Sequence, residues 1–173
     1  MNSSSVRRSA LRGTGESRHV CGLCDSDAGR RNLLVNYLAH GLKRGDKCLL
    51  VAPADTQEEI LAALPDRRKA PRHLVVSEGY DSADAQVAFL KRVAREAKQA
   101  GQTLRLAADM SWALVKNLRI DVILDIEKRV DSLARKVPLT GLCVYDVRRF
   151  SGSDFLHAVK CHRAHARYPI VVG

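Results

Sequence analysis

A chain of 173 residues makes one domain with a short tail, and at that length it hides roughly 70% of its unfolded surface without needing a disulfide framework. Aromatic residues are only 5%, which argues against an RNA-binding sheet; no apolar run reaches the ~20 residues of a membrane span, and the arginine-bearing N-terminus lacks the apolar core of a secretory signal. The net charge of +10 suits a weak, salt-sensitive attraction to nucleic acid or other anionic partners, and the expectation is a soluble cytoplasmic protein.

Residues 1–18 (MNSSSVRRSALRGTGESR) are rich in Ser, Gly and Arg without a period, the composition of a disordered basic arm. From His19 onward strand-like and helix-like segments alternate. His19–Cys24 reads as a short strand. Arg30–Lys43 carries Leu33, Leu34, Tyr37, Leu38 and Leu42 at helical spacing and closes on Gly45. Lys47–Ala52 is an apolar strand halted by Pro53, and Thr56–Leu64 a short helix with Asp55 as its cap and Pro65 as its stop. His73–Ser77 is a strand and Ser82–Ala100 a long helix closed by Gly101. Thr103–Ala108 is the next strand and runs into Asp109. Trp112–Lys136 reads as one helical segment, with Ile120, Ile123, Leu124, Val130, Leu133 and Val137 marking one face. Leu139–Tyr145 is a buried strand followed by Asp146. Ser153–His165 is a helix with Phe155, Leu156 and Val159 inward, and Tyr168–Val172 a last strand.

Apolar strands that alternate with helices mean βαβ crossovers and a mostly parallel sheet. The expected fold class is α/β, a three-layer sandwich. Ligands of such sheets bind beyond the carboxyl ends of the strands. That rule gathers Asp25, Asp109, Ser111, Trp112, Asp146 and Arg148 as the candidate ligand-binding crevice. Asp109 and Asp146 follow the two strands expected to be central. If those strands are neighbours, the two carboxylates need a cation, a shared proton or an arginine between them, and Arg148 and Arg105 are the candidates.

The loop after the first strand, Cys24 to Arg31, has one Gly, no Lys and two aspartates, so it lacks the phosphate cradle of a Walker A loop. Asp25 and Asp27 read first as helix caps, with Arg30 and Arg31 able to attract an anion. Five cysteines in such a chain read as reduced thiols. Cys48 and Cys143 sit in apolar runs and are expected in the core. The Cys21-x-x-Cys24 pair would need a helix N-terminus for redox chemistry or two further ligands for zinc, which Cys161, His162 and His165 could supply chemically. Strand alternation puts Cys21 and Cys24 on opposite faces, so core cysteines are favoured and no stoichiometric zinc is expected. His157, Cys161 and His165 fall at i, i+4 and i+8 on the expected last helix, a spacing that suits either ligation or a solvated face. No Ser or Cys has a nucleophilic-triad context. No catalytic residue, metal or cofactor is assigned.

Taken together, His19–Cys24 (HVCGLC), Ala39–Val51 (AHGLKRGDKCLLV), Arg105–Leu114 with its Asp-Met-Ser-Trp, Glu127, and Leu142–Asp146 (LCVYD) resemble the MEDS domain, the methanogen/methylotroph DcmR sensory domain. The resemblance spans roughly residues 19–172. It implies a RecA/KaiC-like fold that has lost its phosphate loop and serves as a sensory or regulatory module. The chain departs from the commonest family form at Asp25 and Asp27 with Arg30-Arg31, where many members carry a glutamate-rich helix start. With no attached output domain evident, output is expected to pass through a protein partner or the arm.

The reading is therefore a basic arm over 1–18 and a stand-alone sensory domain over 19–173 that binds a small molecule or a protein partner. Nucleic acid is expected to bind only weakly and non-specifically, through the arm, and no membrane is involved. Two alternatives stand beside it. One is a nucleotide-binding or residual phosphotransfer protein of RecA/KaiC type, using Asp109 and Asp146 around Mg²⁺ with Arg30, Arg31 or Arg148 as phosphate clamps; the other is a DNA-associated regulator acting through the arm.

Overall fold

The computed structural model describes residues 18–65 and 73–162, and the backbone of 164–167. The strands are β1 (His19–Cys24), β2 (Lys47–Val51), β3 (Leu74–Ser77), β4 (Leu104–Asp109), β5 (Leu139–Asp146) and β6 (Ala164–Arg167). The helices among the described residues are α1 (Asp27–Arg44), α2 (Ala54–Ala63), α3 (Ala83–Gln99), α4 (Ser111–Val115), α5 (Ile120–Lys136) and α6 (Gly152–Lys160). The strands form one six-stranded sheet in the order β3-β2-β4-β5-β1-β6, and every pairing is parallel. Parallel neighbours cannot be joined by tight turns, so the connections leave the sheet as helices.

Those helices cover both faces. Leu34 and Leu38 of α1 and Ile60 of α2 pack with Cys48, Leu50 and Ala107 on one side. Leu90 and Val93 of α3, Ile123 and Val130 of α5 and Ala158 of α6 pack with Leu49, Leu106 and Cys143 on the other. The result is the expected α/β three-layer sandwich. β4 and β5 are neighbours at the centre, with every residue of β4 buried. Their two-sided burial explains why both read as unbroken apolar runs.

The elements differ from the sequence expectation where caps decide the boundary. α1 starts at Asp27 because Ser26, not Asp25 or Asp27, is its cap: Ser26 Oγ accepts from the Gly29 N–H at 3.2 Å. α2 starts at Ala54 behind Pro53, so Asp55 lies inside its first turn rather than capping it. The expected single helix over Trp112–Lys136 is two helices. Asn117 adopts φ 55°, and the Leu118 N–H reaches back to the Ala113 carbonyl at 2.9 Å, a left-handed stop that asparagine tolerates well.

α6 ends at Lys160 rather than His165. At its end the Ala158 carbonyl accepts both the Cys161 N–H at 3.2 Å and the His162 imidazole Nδ1–H at 2.9 Å, a tightened last turn with a side chain where the next helical N–H would bond. The chain then forms β6, whose first two residues, Ala164 and His165, the expectation put in that helix, so His157, Cys161 and His165 do not share a helix face. Leu156, expected inward, is 56% exposed, while Phe155 and Val159 do pack against the core. The strand expected at Tyr168–Val172 and nearly all of the basic arm lie outside the described residues. Arg18, counted with the arm, already gives its carbonyl to the Gly141 N–H at 2.7 Å.

Candidate functional site

The carboxyl ends of β1, β4 and β5 converge with the start of α1. In the parallel registers Cys24 lies beside Asp146, and Asp109 beside Val144. The Val147 N–H donates to the Cys24 carbonyl at 2.9 Å, which draws the loop after β5 against the loop after β1. Each strand-end acid is met by its own arginine. Arg148 grips Asp146 with Nε at 2.9 Å from Oδ1 and Nη2 at 2.6 Å from Oδ2, and the Arg148 N–H adds a bond of 3.0 Å. The same Nη2 donates to Asp27 Oδ1 at 2.7 Å, so one guanidinium ties the β5 loop to α1.

Asp109 is enclosed. Its Oδ1 accepts from the Ser111 N–H at 3.0 Å and the Ser111 hydroxyl at 2.8 Å, which fixes the entry into α4. Its Oδ2 lies 3.7 Å from Nε of Arg30, which is itself buried. Arg30 also donates to Glu59 Oε2 at 3.0 Å, and Arg31 to Glu59 Oε1 at 3.1 Å. Burial tends to raise the Asp146 carboxyl, but the Arg148 guanidinium and N–H outweigh it and hold the group below its ordinary value. Hydrogen bonding to Arg148 likewise lowers Asp27.

The six candidates are thus placed differently. Asp109, Ser111, Asp146 and Arg148 line this charged edge. Asp25 is exposed beside it and joins none of these pairs. Trp112 lies below it, only 1% exposed. Gly79 makes that burial possible: a Cβ there would fall 2.1 Å from Trp112 Cε3. The arginine near Asp109 is Arg30. Arg105 pairs with Asp46 at 2.9 Å at the other end of β4, where its guanidinium lies over Tyr37 at 4.7 Å.

The cysteine expectations can be read directly. Cys21, Cys24, Cys48 and Cys143 are all buried free thiols. Cys21 packs with the α3 and α5 side and Cys24 with the α1 side, the opposite faces that alternation predicts. Burial, reinforced by Glu127 for Cys21 and by Asp146 for Cys24, pushes both thiols up to about 12. Activated redox cysteines are shifted the other way.

A second polar group, which sequence reasoning did not assemble, lies inside the α3–α5 side of the core. His19 Nε2 is 3.1 Å from Glu127 Oε2 and 3.2 Å from Cys143 Sγ. His162 Nε2 is 3.2 Å from the same Glu127 oxygen, and the Tyr145 hydroxyl donates to the other, Oε1. Burial alone would raise the Glu127 carboxyl, but the two imidazoles hold it well below the usual carboxylate range. Burial and the Glu127 charge together push Cys143 and Tyr145 far up. A cavity of about 10 Å³, room for one water, separates Trp112 from Glu127 and Cys143. The signal for this group was present as single polar residues in apolar segments: His19 opening a strand, and Glu127 on the inward face of α5.

Comparison with known proteins bears on both groups. The transcriptional repressor DcmR of Methylorubrum extorquens (strain DSM 6343 / CIP 106787 / DM4) is 33% identical over 160 residues, covering 88% of this chain and 60% of the repressor. The chain therefore spans about three fifths of that relative's length. The family model described as MEDS, the MEthanogen/methylotroph, DcmR Sensory domain, matches residues 18–163. That match runs from the start of β1 to the residue after His162 and takes in both polar groups, so the chain belongs to the MEDS family of sensory domains.

Proposed function

We propose that this regulatory domain reads its signal at the carboxyl edge of the sheet, where a small molecule or partner protein competes for the Arg148 bridge. The observation that carries the reading is that one half-exposed guanidinium joins Asp146 on β5 to Asp27 on α1. A ligand offering its own carboxylate or other anionic group would exchange partners with Arg148 and free α1 from the β5 loop. The Arg148–Asp27 half of the bridge is exposed and costs little to exchange, while the buried Asp146 keeps its hold on Arg148, which suits a switch that a modest binding energy must move. Asp25, Asp109, Ser111 and Trp112 complete the site, Asp25 as an open acceptor and the other three as its rigid floor. We take residues 19–173 as the sensing unit, 1–18 as a basic arm, and the cytoplasm as its place of action; no helix among the described residues is long and apolar enough to cross a membrane.

The repressor relative supports a role in transcriptional control, exercised through a partner or through the arm. The sheet order, with β1 flanked by β5 and β6 and an acid ending β4, supports kinship with RecA/KaiC-type sheets. The nucleotide-binding alternative draws on Asp109, a buried strand-end acid beside a hydroxyl. It is weakened because Arg30, Arg31 and Arg148, the phosphate clamps it needs, are each held by a carboxylate.

The test is a thermal-shift panel of small carboxylates, other metabolites and nucleotides with and without Mg²⁺, on the full chain and on Arg148→Ala. Anything that binds only the folded protein raises its melting temperature. The proposal expects a compound that stabilises the natural chain, loses its effect in Arg148→Ala, and alters amide exchange over residues 24–31 and 146–151. A compound that shifts both proteins equally, or a nucleotide effect that depends on Asp109 and not on Arg148, would overturn it.

A further inference from the structure

We propose that His19, Glu127, Cys143 and His162 form a buried binding site for a divalent transition-metal ion of the zinc class. The four side chains come from four separate segments, β1, α5, β5 and the turn after α6, and offer two imidazole nitrogens, a carboxylate oxygen and a sulfur. These donor atoms all lie within 4.8 Å of one another. Three of the approaches measure 3.1, 3.2 and 3.2 Å. Tetrahedral zinc bonds of about 2.0–2.3 Å place donors about 3.3–3.8 Å apart, so these three approaches stand within a few tenths of an ångström of that spacing, and the remaining pairs, all within 4.8 Å, need only a small contraction.

The orientation of His162 points the same way. Its Nδ1 donates to the Ala158 carbonyl, so in the neutral ring Nε2 presents a lone pair. That lone pair faces Glu127 Oε2 at 3.2 Å, and the same oxygen lies 3.1 Å from His19 Nε2. Two lone pairs facing each other in a dry interior repel, and a cation between them turns the repulsion into two bonds. The alternative, an imidazolium against the carboxylate, is a buried ion pair that must repay the desolvation of both charges. The surrounding contacts are those of ligands held in place for a metal: the Ala158 carbonyl fixes the His162 tautomer, and the Tyr145 hydroxyl holds Glu127 Oε1. Gly141 gives the His19 ring its room, since a Cβ there would lie 3.1 Å from its Cδ2.

Charge balances as well. On binding, the Cys143 S–H bond breaks, its proton leaves to solvent and a metal–sulfur bond forms; thiolate and Glu127 carboxylate together neutralise the dication. The donor set of nitrogen, oxygen and sulfur selects a borderline ion over Mg²⁺ or Ca²⁺. His19, Glu127, Cys143 and His162 are each at most 5% exposed, so the ion would enter as the fold closes and would tie β1, β5, α5 and the start of β6 together. This departs from the metal-free expectation, which weighed Cys21 and Cys24, with His19 just before them, together with the C-terminal His and Cys residues and left out Glu127 and Cys143.

The test begins with metal analysis of the full chain, purified without a polyhistidine tag or chelator. Stoichiometric zinc-class metal is expected. Chelator-treated protein should then take up Co²⁺ with a thiolate-to-cobalt charge-transfer band and tetrahedral ligand-field intensity. Zn²⁺ at about 100 times its dissociation constant should raise the melting temperature by about 5–10 °C. The band should disappear in Cys143→Ser and weaken in His162→Gln, and survive in Cys21→Ser and Cys161→Ser. The Co²⁺ titration of the natural chain needs no variant, so it decides the question even if a core substitution fails to fold. Substoichiometric metal with no thiolate–cobalt band and no Zn²⁺ stabilisation would overturn the proposal, as would a band that depends on Cys21 or Cys161 instead of Cys143.

Discussion

Replacing Gly79 with alanine probes how closely the core is fitted beneath the strand-end acids. Gly79 has φ +80°, and a Cβ there would lie 2.1 Å from Trp112 Cε3 and 2.6 Å from Cδ2 and Cζ3. A side chain on left-handed backbone costs about 1–2 kcal/mol. The indole is 1% exposed and cannot swing into solvent, so relieving the overlap displaces a packed ring, at about 1–3 kcal/mol. The expected loss is about 2–5 kcal/mol, a fall in melting temperature of about 4–20 °C for a chain of this size. Gly45→Ala separates the two contributions, because Gly45 has φ +78° but nothing within 4 Å of its Cβ position; it should lose only the backbone part. Trp112 is the single tryptophan, so denaturation followed by its fluorescence reports the displaced ring directly. A Gly79→Ala/Trp112→Leu double variant should recover the steric part as a coupling energy. If Gly79→Ala and Gly45→Ala differ by less than about 0.5 kcal/mol, the close fit of Trp112 carries no energetic weight and the account of the rigid floor is wrong.

Arg30→Met should destabilise the fold by about 3–5 kcal/mol, because it leaves the buried Asp109 carboxylate without its cation; denaturant titration should show Asp109→Asn restoring much of the loss, and an additive double variant would refute the pairing. Asp146 is held below its ordinary value by Arg148 against the effect of burial, so it lends stability above the unfolded carboxyl value of about 3.9 and loses it as pH falls through the lower folded value. The melting-temperature gap between the natural chain and Arg148→Gln should therefore be full at neutral pH and close below about pH 4; a gap unchanged down to about pH 2 refutes the linkage. Any DNA binding should fall steeply with salt and vanish on deletion of residues 1–17, which removes Arg7, Arg8 and Arg12; sequence-selective binding that survives the deletion contradicts an arm-only role. ATP turnover should not exceed background, since the loop after β1 has a single Gly and no Lys; turnover abolished by Asp109→Asn would promote the nucleotide reading.

The sequence by itself determined the layered α/β architecture, because the period of apolar residues reports which faces are buried whatever they are buried against. Unbroken runs such as LTGLCVY mark strands covered on both sides, and alternation put Cys21 and Cys24 on opposite faces before any partner was known. The same reasoning placed Asp109 and Asp146 at strand ends and so at one edge. Local pattern failed where a side chain competes for backbone groups. Asn117 stops α4 with a left-handed backbone, Ser26 caps α1, and the His162 imidazole bonds the Ala158 carbonyl at the point where an expected helix gives way to β6. Tertiary structure alone decided partnerships. Strand order and register bring His19 next to Gly141 and so near Cys143, and α5 and the turn after α6 deliver Glu127 and His162 onto that spot. They also set Arg30, rather than Arg105, against Asp109. Which groups meet depends on sheet order and helix packing across more than a hundred residues of sequence, and the two-residue and 3.6-residue periods that govern each element carry no record of that.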